Sequence, residues 1–131
     1  MNDPKTIYLV DDDQDDRFFV KEAIQESGAK VEIVEVENGF DLLTLARDIA
    51  EPALSIIIID MNMPKMNGLE TVAAIRADTR LAEMPIVMLS TSSNPSLIRT
   101  AYLSGVTNFV TKPSTFDEFA QFAREISERY L

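Results

Sequence analysis

Residues 54–60 read LSIIIID. Four consecutive isoleucines, each stiff at χ1, favour an extended strand over a helix. A strand with one wet face would alternate apolar and polar residues, and this run does not. Continuous apolarity suits a parallel strand covered on both faces by other elements. The run then stops on a carboxylate, Asp60. Everything else in the chain can be read outward from that strand and its terminal acid.

Four more apolar β-type runs flank it. On the N-terminal side, TIYLV (6–10) is followed by a helical pattern at about 15–27 that Gly28 stops. Its apolar positions Phe19, Val20, Ala23 and Ile24 fall on one face. VEIVEV (31–36) alternates strictly, as a half-exposed edge strand does. Asn38-Gly39 opens a helix at about 40–50, which ends near Pro52. On the C-terminal side, residues 67–78 read as a helix with Asn67 as its cap. PIVML (85–89) is a second buried strand, 95–104 a helix closed by Gly105, and NFVT (108–111) a short strand. A capping box of Ser114 with Asp117 predicts the start of the last helix. Its stripe of Phe116, Phe119, Ala120, Ala123 and Ile126 reads as core packing rather than a cofactor box.

Five strand–helix units imply an α/β fold, a doubly wound parallel sheet with helices on both faces. For five strands the expected order is 2-1-3-4-5, with ligands beyond the carboxyl ends of the strands at the point where the order reverses. No linker, repeat or low-complexity segment interrupts the 131 residues, so one domain is expected over 1–131, with no output domain.

Composition excludes much. The chain has no histidine and no cysteine, which removes imidazole acid–base chemistry, thiolate metal sites and disulfides. Its net charge of −10 repels nucleic-acid phosphates. The opening MNDPKTIYLVDDD is not a signal peptide, because its apolar run is short and ends in acids. No apolar stretch approaches the roughly 20 residues of a membrane span. A soluble, cytoplasmic protein is expected.

The chemistry-bearing residues gather at the strand ends. The first strand runs into Asp11, Asp12 and Asp13, the third into Asp60, the fourth into Ser90-Thr91, and the fifth into Thr111-Lys112-Pro113. The opposite ends carry ordinary residues such as Lys5, Val31, Leu54 and Pro85. Each group alone has a bland reading as solvated loop, turn or surface. Their coincidence at one edge does not. Two carboxylates about 4 Å apart repel by about 4 kcal/mol at an effective dielectric near 20. Asp11, Asp12 and Asp60 together therefore call for a cation or a proton. An all-oxygen donor set suits Mg²⁺ or Mn²⁺. A metal, an ammonium and a hydroxyl aimed at one carboxylate would stabilise a transferred phosphoryl group.

IYLVDDD, IIIIDMNMPKMNGLE, PIVMLSTSS and FVTKP, in this order, resemble the response-regulator receiver domain of two-component signalling, most closely its stand-alone, chemotaxis-regulator-like members. The resemblance covers nearly the whole chain. It implies a (βα)5 flavodoxin-like fold and a signalling phosphoprotein that assists its own phosphoryl transfer and autodephosphorylation, rather than an enzyme. Asp60 matches the phospho-accepting aspartate. Asp12 matches the direct metal ligand, Asp11 its partner acting largely through water, and Asn62 the residue whose carbonyl completes the ligands. Ser90 matches the hydroxyl that bonds the phosphoryl group, with Thr91 beside it. Lys112 matches the family's lysine, with a cis bond expected at Pro113. Phe109 matches the aromatic switch position, although phenylalanine cannot donate an O–H hydrogen bond. Met63-Pro64 and Gly68 match the loop after the acceptor. The implied partners are a sensor histidine kinase or phosphotransfer protein, an unidentified downstream protein, and a second copy of the chain through the 95–130 face, with no nucleic acid and no membrane. The extra acids Asp13, Asp15 and Asp16 read as a solvated helix N-terminus favoured by the macrodipole.

Three rivals share some residues. An EF-hand-like loop would use Asp11, Asp13, Asp15 and Glu22, but Asp16 stands where that loop needs glycine. A haloacid-dehalogenase-like hydrolase would use Asp11, not Asp60, as its nucleophile. A flavodoxin would need a Ser/Thr/Gly-rich first loop, and residues 11–16 are acidic instead.

Overall fold

The computed structural model describes residues 4–131, so the first three residues of the N-terminal stretch lie outside it. Five strands form one parallel sheet: β1 (Lys5–Val10), β2 (Val31–Val36), β3 (Ser55–Asp60), β4 (Ile86–Ser90) and β5 (Asn108–Thr111). Their order is β2-β1-β3-β4-β5, as the alternation of patterns implies. Five α-helices connect them: α1 (Gln14–Glu26), α2 (Gly39–Ala46), α3 (Gly68–Arg76), α4 (Pro95–Ser104) and α5 (Phe116–Tyr130).

The isoleucine run sits at the centre. All six residues of β3 are buried. Period-2 alternation sends Ile57 and Ile59 to one face, against Leu42 and Ala46 of α2, Val72 and Ile75 of α3 and Ala101 of α4. Ile56 and Ile58 point to the other face, against Val20 and Ile24 of α1 and Phe122, Ala123 and Ile126 of α5. Two cores divided by one sheet require a strand apolar on both sides, which is why β3 does not alternate. Edge strand β2 keeps Glu32 and Glu35 exposed.

Local chemistry sets the helix ends. Asp13 caps α1, its carboxylate accepting from Asp15 N and Asp16 N. Asn67 caps α3 in a full capping box with Glu70. Gly105 closes α4 in the left-handed region, at φ 112°. The α5 cap lies one residue beyond the expected one: Thr115 pairs with Glu118 rather than Ser114 with Asp117. Ser114 still takes part, since its N–H and hydroxyl both donate to Glu118 Oε1. The later start puts Phe116 at the first helical position, where it is 78 % exposed instead of packed. Phe19 of α1 is likewise half exposed, while Phe122 fills the core position that the expected stripe had omitted.

Candidate functional site

Backbone hydrogen bonds carry the strands slightly past their ends and fix the residues that follow. Asp11 N–H donates to Val36 O at 3.0 Å, Met61 N–H to Leu89 O at 2.9 Å, and Lys112 N–H to Ser90 O at 2.8 Å. Asp11, Asp60, Ser90 and Lys112 are thus held by the same ladders that hold the sheet. Gly68 completes the frame. A Cβ there would lie 2.7 Å from Asp60 O and 2.8 Å from Met61 Cα, so only glycine lets α3 start this close to the end of β3.

Three carboxylates converge. Asp11, Asp12 and Asp60 each offer an oxygen, all within 4.8 Å of one another. Asp11 and Asp60 are each 4 % exposed, while Asp12 is open to solvent. Burial pushes the Asp11 carboxyl up to about 6, and the neighbouring Asp60 charge adds to it against the Asp13 N–H and Lys112. Burial also raises Asp60, against the pull of Lys112 and the Asn62 N–H. Desolvated acids facing each other favour a bound cation or a proton. The oxygen-only donor set fits a hard divalent cation.

On the other side lies the ammonium. Lys112 Nζ is 3.1 Å from Asp11 Oδ2, 3.3 Å from Asp60 Oδ2 and 2.7 Å from Asp16 Oδ2. Burial disfavours the lysine charge, but hydrogen bonding to Asp16 and the charges of Asp11 and Asp60 outweigh it and hold its pKa above the usual lysine value. Lys112 is therefore a fixed positive charge at any physiological pH.

The other expected residues take separate places. Asn62 is exposed, and its N–H reaches Asp60 Oδ1 at 3.3 Å. Ser90 is fully buried at the end of β4, its Oγ accepting from Ser92 N–H at 3.1 Å. Thr91 is exposed and stands outside the network. Phe109 lies half-buried on β5 beside Met88, packed on the core rather than in the cluster. The cis bond expected at Pro113 is absent: every peptide bond among the described residues is trans. An X–Pro amide prefers trans by about 0.5–1 kcal/mol, and buried Pro113 here leads straight into the Ser114–Thr115 cap of α5.

Three contacts escaped the sequence reading. Asp16 pairs with Lys112, and Arg17 donates to the Asp11 carbonyl at 2.6 Å while pairing with Glu35 at 3.2 Å. Both residues lie in the first turn of α1, which follows directly on the end of β1. Their acidic and basic neighbours gave no sign of which partner each would take.

The response regulator receiver domain profile matches residues 7–124. The chain belongs to the response-regulator receiver family. A chemotaxis protein CheY homolog of Campylobacter jejuni is 36% identical over 112 residues, covering 83% of this chain and 82% of that protein. The phosphorylated cyanobacterial phytochrome response regulator RcpA superposes with a TM-score of 0.86 at 32% identity, over 98% of this chain and 94% of RcpA. The Mn²⁺-bound form of response regulator Rcp1 gives 0.83 at 27%, over 98% and 95%. The protein is accordingly a phosphoacceptor module of two-component signalling, not an enzyme of metabolism. The hydrolase alternative has no support. This receiver's Asp11 is tied down on both oxygens, by Asp13 N–H at 2.9 Å and by Lys112. Among the described residues no helix is long and apolar enough to cross a membrane.

Proposed function

We propose that Asp60 accepts a phosphoryl group from a sensor histidine kinase or phosphotransfer protein, with Mg²⁺, or Mn²⁺, held by Asp11, Asp12, Asp60 and the Asn62 carbonyl. The observation that carries this is the clustering of three acid oxygens within 4.8 Å with Lys112 Nζ 3.3 Å from Asp60. An anion placed on Asp60 would meet positive charge from the lysine and from a bound metal. When bound, that metal would neutralise the phosphoryl charge as it develops.

The remaining roles belong to the chain's own groups. Lys112 holds an ammonium beside the acceptor, and the ladder bond from its backbone to Ser90 ties the two residues together. Ser90 would bond a phosphoryl oxygen through its hydroxyl. Asn62, exposed and two residues beyond Asp60, would orient an attacking water through its amide, so the module would remove its own phosphoryl group. The output is an interaction, in the cytoplasm, with a downstream protein or a second copy through the 95–130 face.

A small phosphodonor such as acetyl phosphate with Mg²⁺ tests the assignment. Intact mass is expected to rise by one phosphoryl group in wild type and not in Asp60→Asn. Undiminished phosphorylation of that variant overturns it.

A further inference from the structure

Lys112 is shared among three acids, and one of them belongs to no part of the receiver chemistry described above. An ammonium has three N–H donors. This one hydrogen-bonds Asp11 Oδ2 and Asp60 Oδ2, and Asp16 Oδ2 approaches it as a third, ion-paired acid, so a phosphoryl oxygen would meet an ammonium already surrounded by negative charge.

The three contacts are unequal. The ion pair with Asp16, at 2.7 Å, is the shortest of the three, while the hydrogen bonds to Asp11 at 3.1 Å and Asp60 at 3.3 Å are long for charge-assisted ones. The ammonium is therefore drawn toward α1. The acids also differ in what they lose on release. The Asp16 side chain is 31% exposed and water can replace the lysine, whereas those of Asp11 and Asp60 are 5% exposed. Asp16 is the partner that can let go. The bland reading, a helix-terminal acid favoured by the macrodipole, accounts for Asp15 in the same turn, which has no ion-pair partner among the described residues. It does not account for Asp16.

We infer that Asp16 is a positioning residue that tethers Lys112 on the α1 side of the cleft and competes with a phosphoryl group on Asp60 for its ammonium. The inference rests on Asp60 as acceptor and Lys112 as the phosphoryl partner. In the resting protein the lysine is shared between this tether and its long hydrogen bond to Asp60. Phosphorylation would have to break the tether, which opposes the modified state and ties the first turn of α1 to the chemistry.

Beryllofluoride with Mg²⁺, a stand-in for the phosphoryl group, provides the test. Four full-length proteins are titrated: wild type, Asp16→Asn, Asp15→Asn and Asp16→Glu. Asp16→Asn is expected to bind about fivefold more tightly than wild type. Asp15→Asn removes the same charge from the same turn and is expected to match wild type. Asp16→Glu keeps an acid within reach and is expected to restore wild-type binding. The ¹⁵N signal of the Lys112 ammonium, recorded without beryllofluoride, is expected to move in Asp16→Asn and stay in Asp15→Asn. Equal binding by the two asparagine variants, or weaker binding by Asp16→Asn, overturns the competition. Failure of wild type to bind beryllofluoride overturns the acceptor reading instead, and the ammonium signal then still tests the tether.

Discussion

The Tyr102 hydroxyl of α4 accepts the backbone N–H of Phe109 at 3.0 Å and donates to Asn108 Oδ1 at 3.3 Å. β5 is the outermost strand, and an edge strand presents N–H groups with no neighbour to pair. A side chain from the preceding helix fills that need at Phe109. The hydroxyl that Phe109 lacks is thus present on α4, and it latches α4 to the strand. Tyr102→Phe removes it. The expected outcome is an intact fold, a loss of about 1 kcal/mol, and faster amide hydrogen exchange at Phe109 than at Val110. Unchanged exchange at Phe109 counts against the latch.

Gly68 packs its bare Cα against the acceptor's own backbone, with a notional Cβ 2.7 Å from Asp60 O. Gly68→Ala must push α3 away from the end of β3. It is expected to cost about 2–3 kcal/mol in denaturant unfolding and to slow phosphorylation by small donors. A control at Gly28, whose notional Cβ meets nothing within 4 Å, probes backbone strain alone, since its φ is +83°. Similar losses at both sites would show that close approach is not what matters at Gly68.

The fold was legible because one strand carried it. Four isoleucines with no alternation placed β3 in the centre, and the alternating VEIVEV placed β2 at the edge. Residues at the strand ends were legible for the same reason, since the sheet dictates where they go. What the sequence hid were choices among near-equal partners. Ser114 and Thr115 are both competent caps, one residue apart, and Thr115 takes the role while Ser114 bonds Glu118 from outside the helix. Asp16 lies 96 positions from Lys112, and its local explanation as a helix-terminal acid was sufficient by itself.

A bound divalent cation stabilises only the folded state, because the unfolded chain scatters Asp11, Asp12 and Asp60. At one hundred times its dissociation constant the gain is about 2.7 kcal/mol. For a domain of this size that is a rise in melting temperature of about 8–12 °C. Asp12→Ala is expected to show a much smaller rise, measured with Mg²⁺ and with Mn²⁺. Equal rises in both proteins would remove Asp12 from the ligand set.

The Asp11 carboxyl, raised from 3.8 to about 6 by burial, makes stability pH-dependent. Between those values the folded chain keeps a proton that the unfolded chain has released. Stability is therefore highest below the unfolded value and falls as pH rises through the folded one. The metal-free protein is expected to lose about 2 kcal/mol between pH 4.5 and 7 from this group. Reduced net charge near the sequence pI of about 4.3 acts in the same direction. Asp11→Asn separates the two, since it should flatten the part of the slope that lies between the unfolded value of 3.8 and the folded value of about 6. A slope unchanged in Asp11→Asn assigns the effect to net charge alone.

The switch is the last prediction. Ser90 lies fully buried at the end of β4, its Oγ occupied only as acceptor from the Ser92 N–H. Its hydroxyl proton is free to be drawn by a phosphoryl oxygen on Asp60 through a charge-assisted bond. Moving it would disturb the β4–β5 edge, where Ser90 faces Thr111 and Met88 faces Phe109. Phe109 packs half-buried on the core that holds Met88, Ala101 and Val106, so it can respond by rotating into space that Ser90 vacates. The Tyr102 latch would then pass the change to α4, where Leu103 is 81 % exposed and Arg99 is also exposed. Such a device shifts two existing states rather than creating one. Beryllofluoride is expected to move the NMR signals of Ser90, Phe109 and residues 99–107 together. In Ser90→Ala, Asp60 should still accept a phosphoryl group while Phe109 and 99–107 no longer follow. Normal movement of Phe109 in that variant would show that the coupling does not run through the hydroxyl.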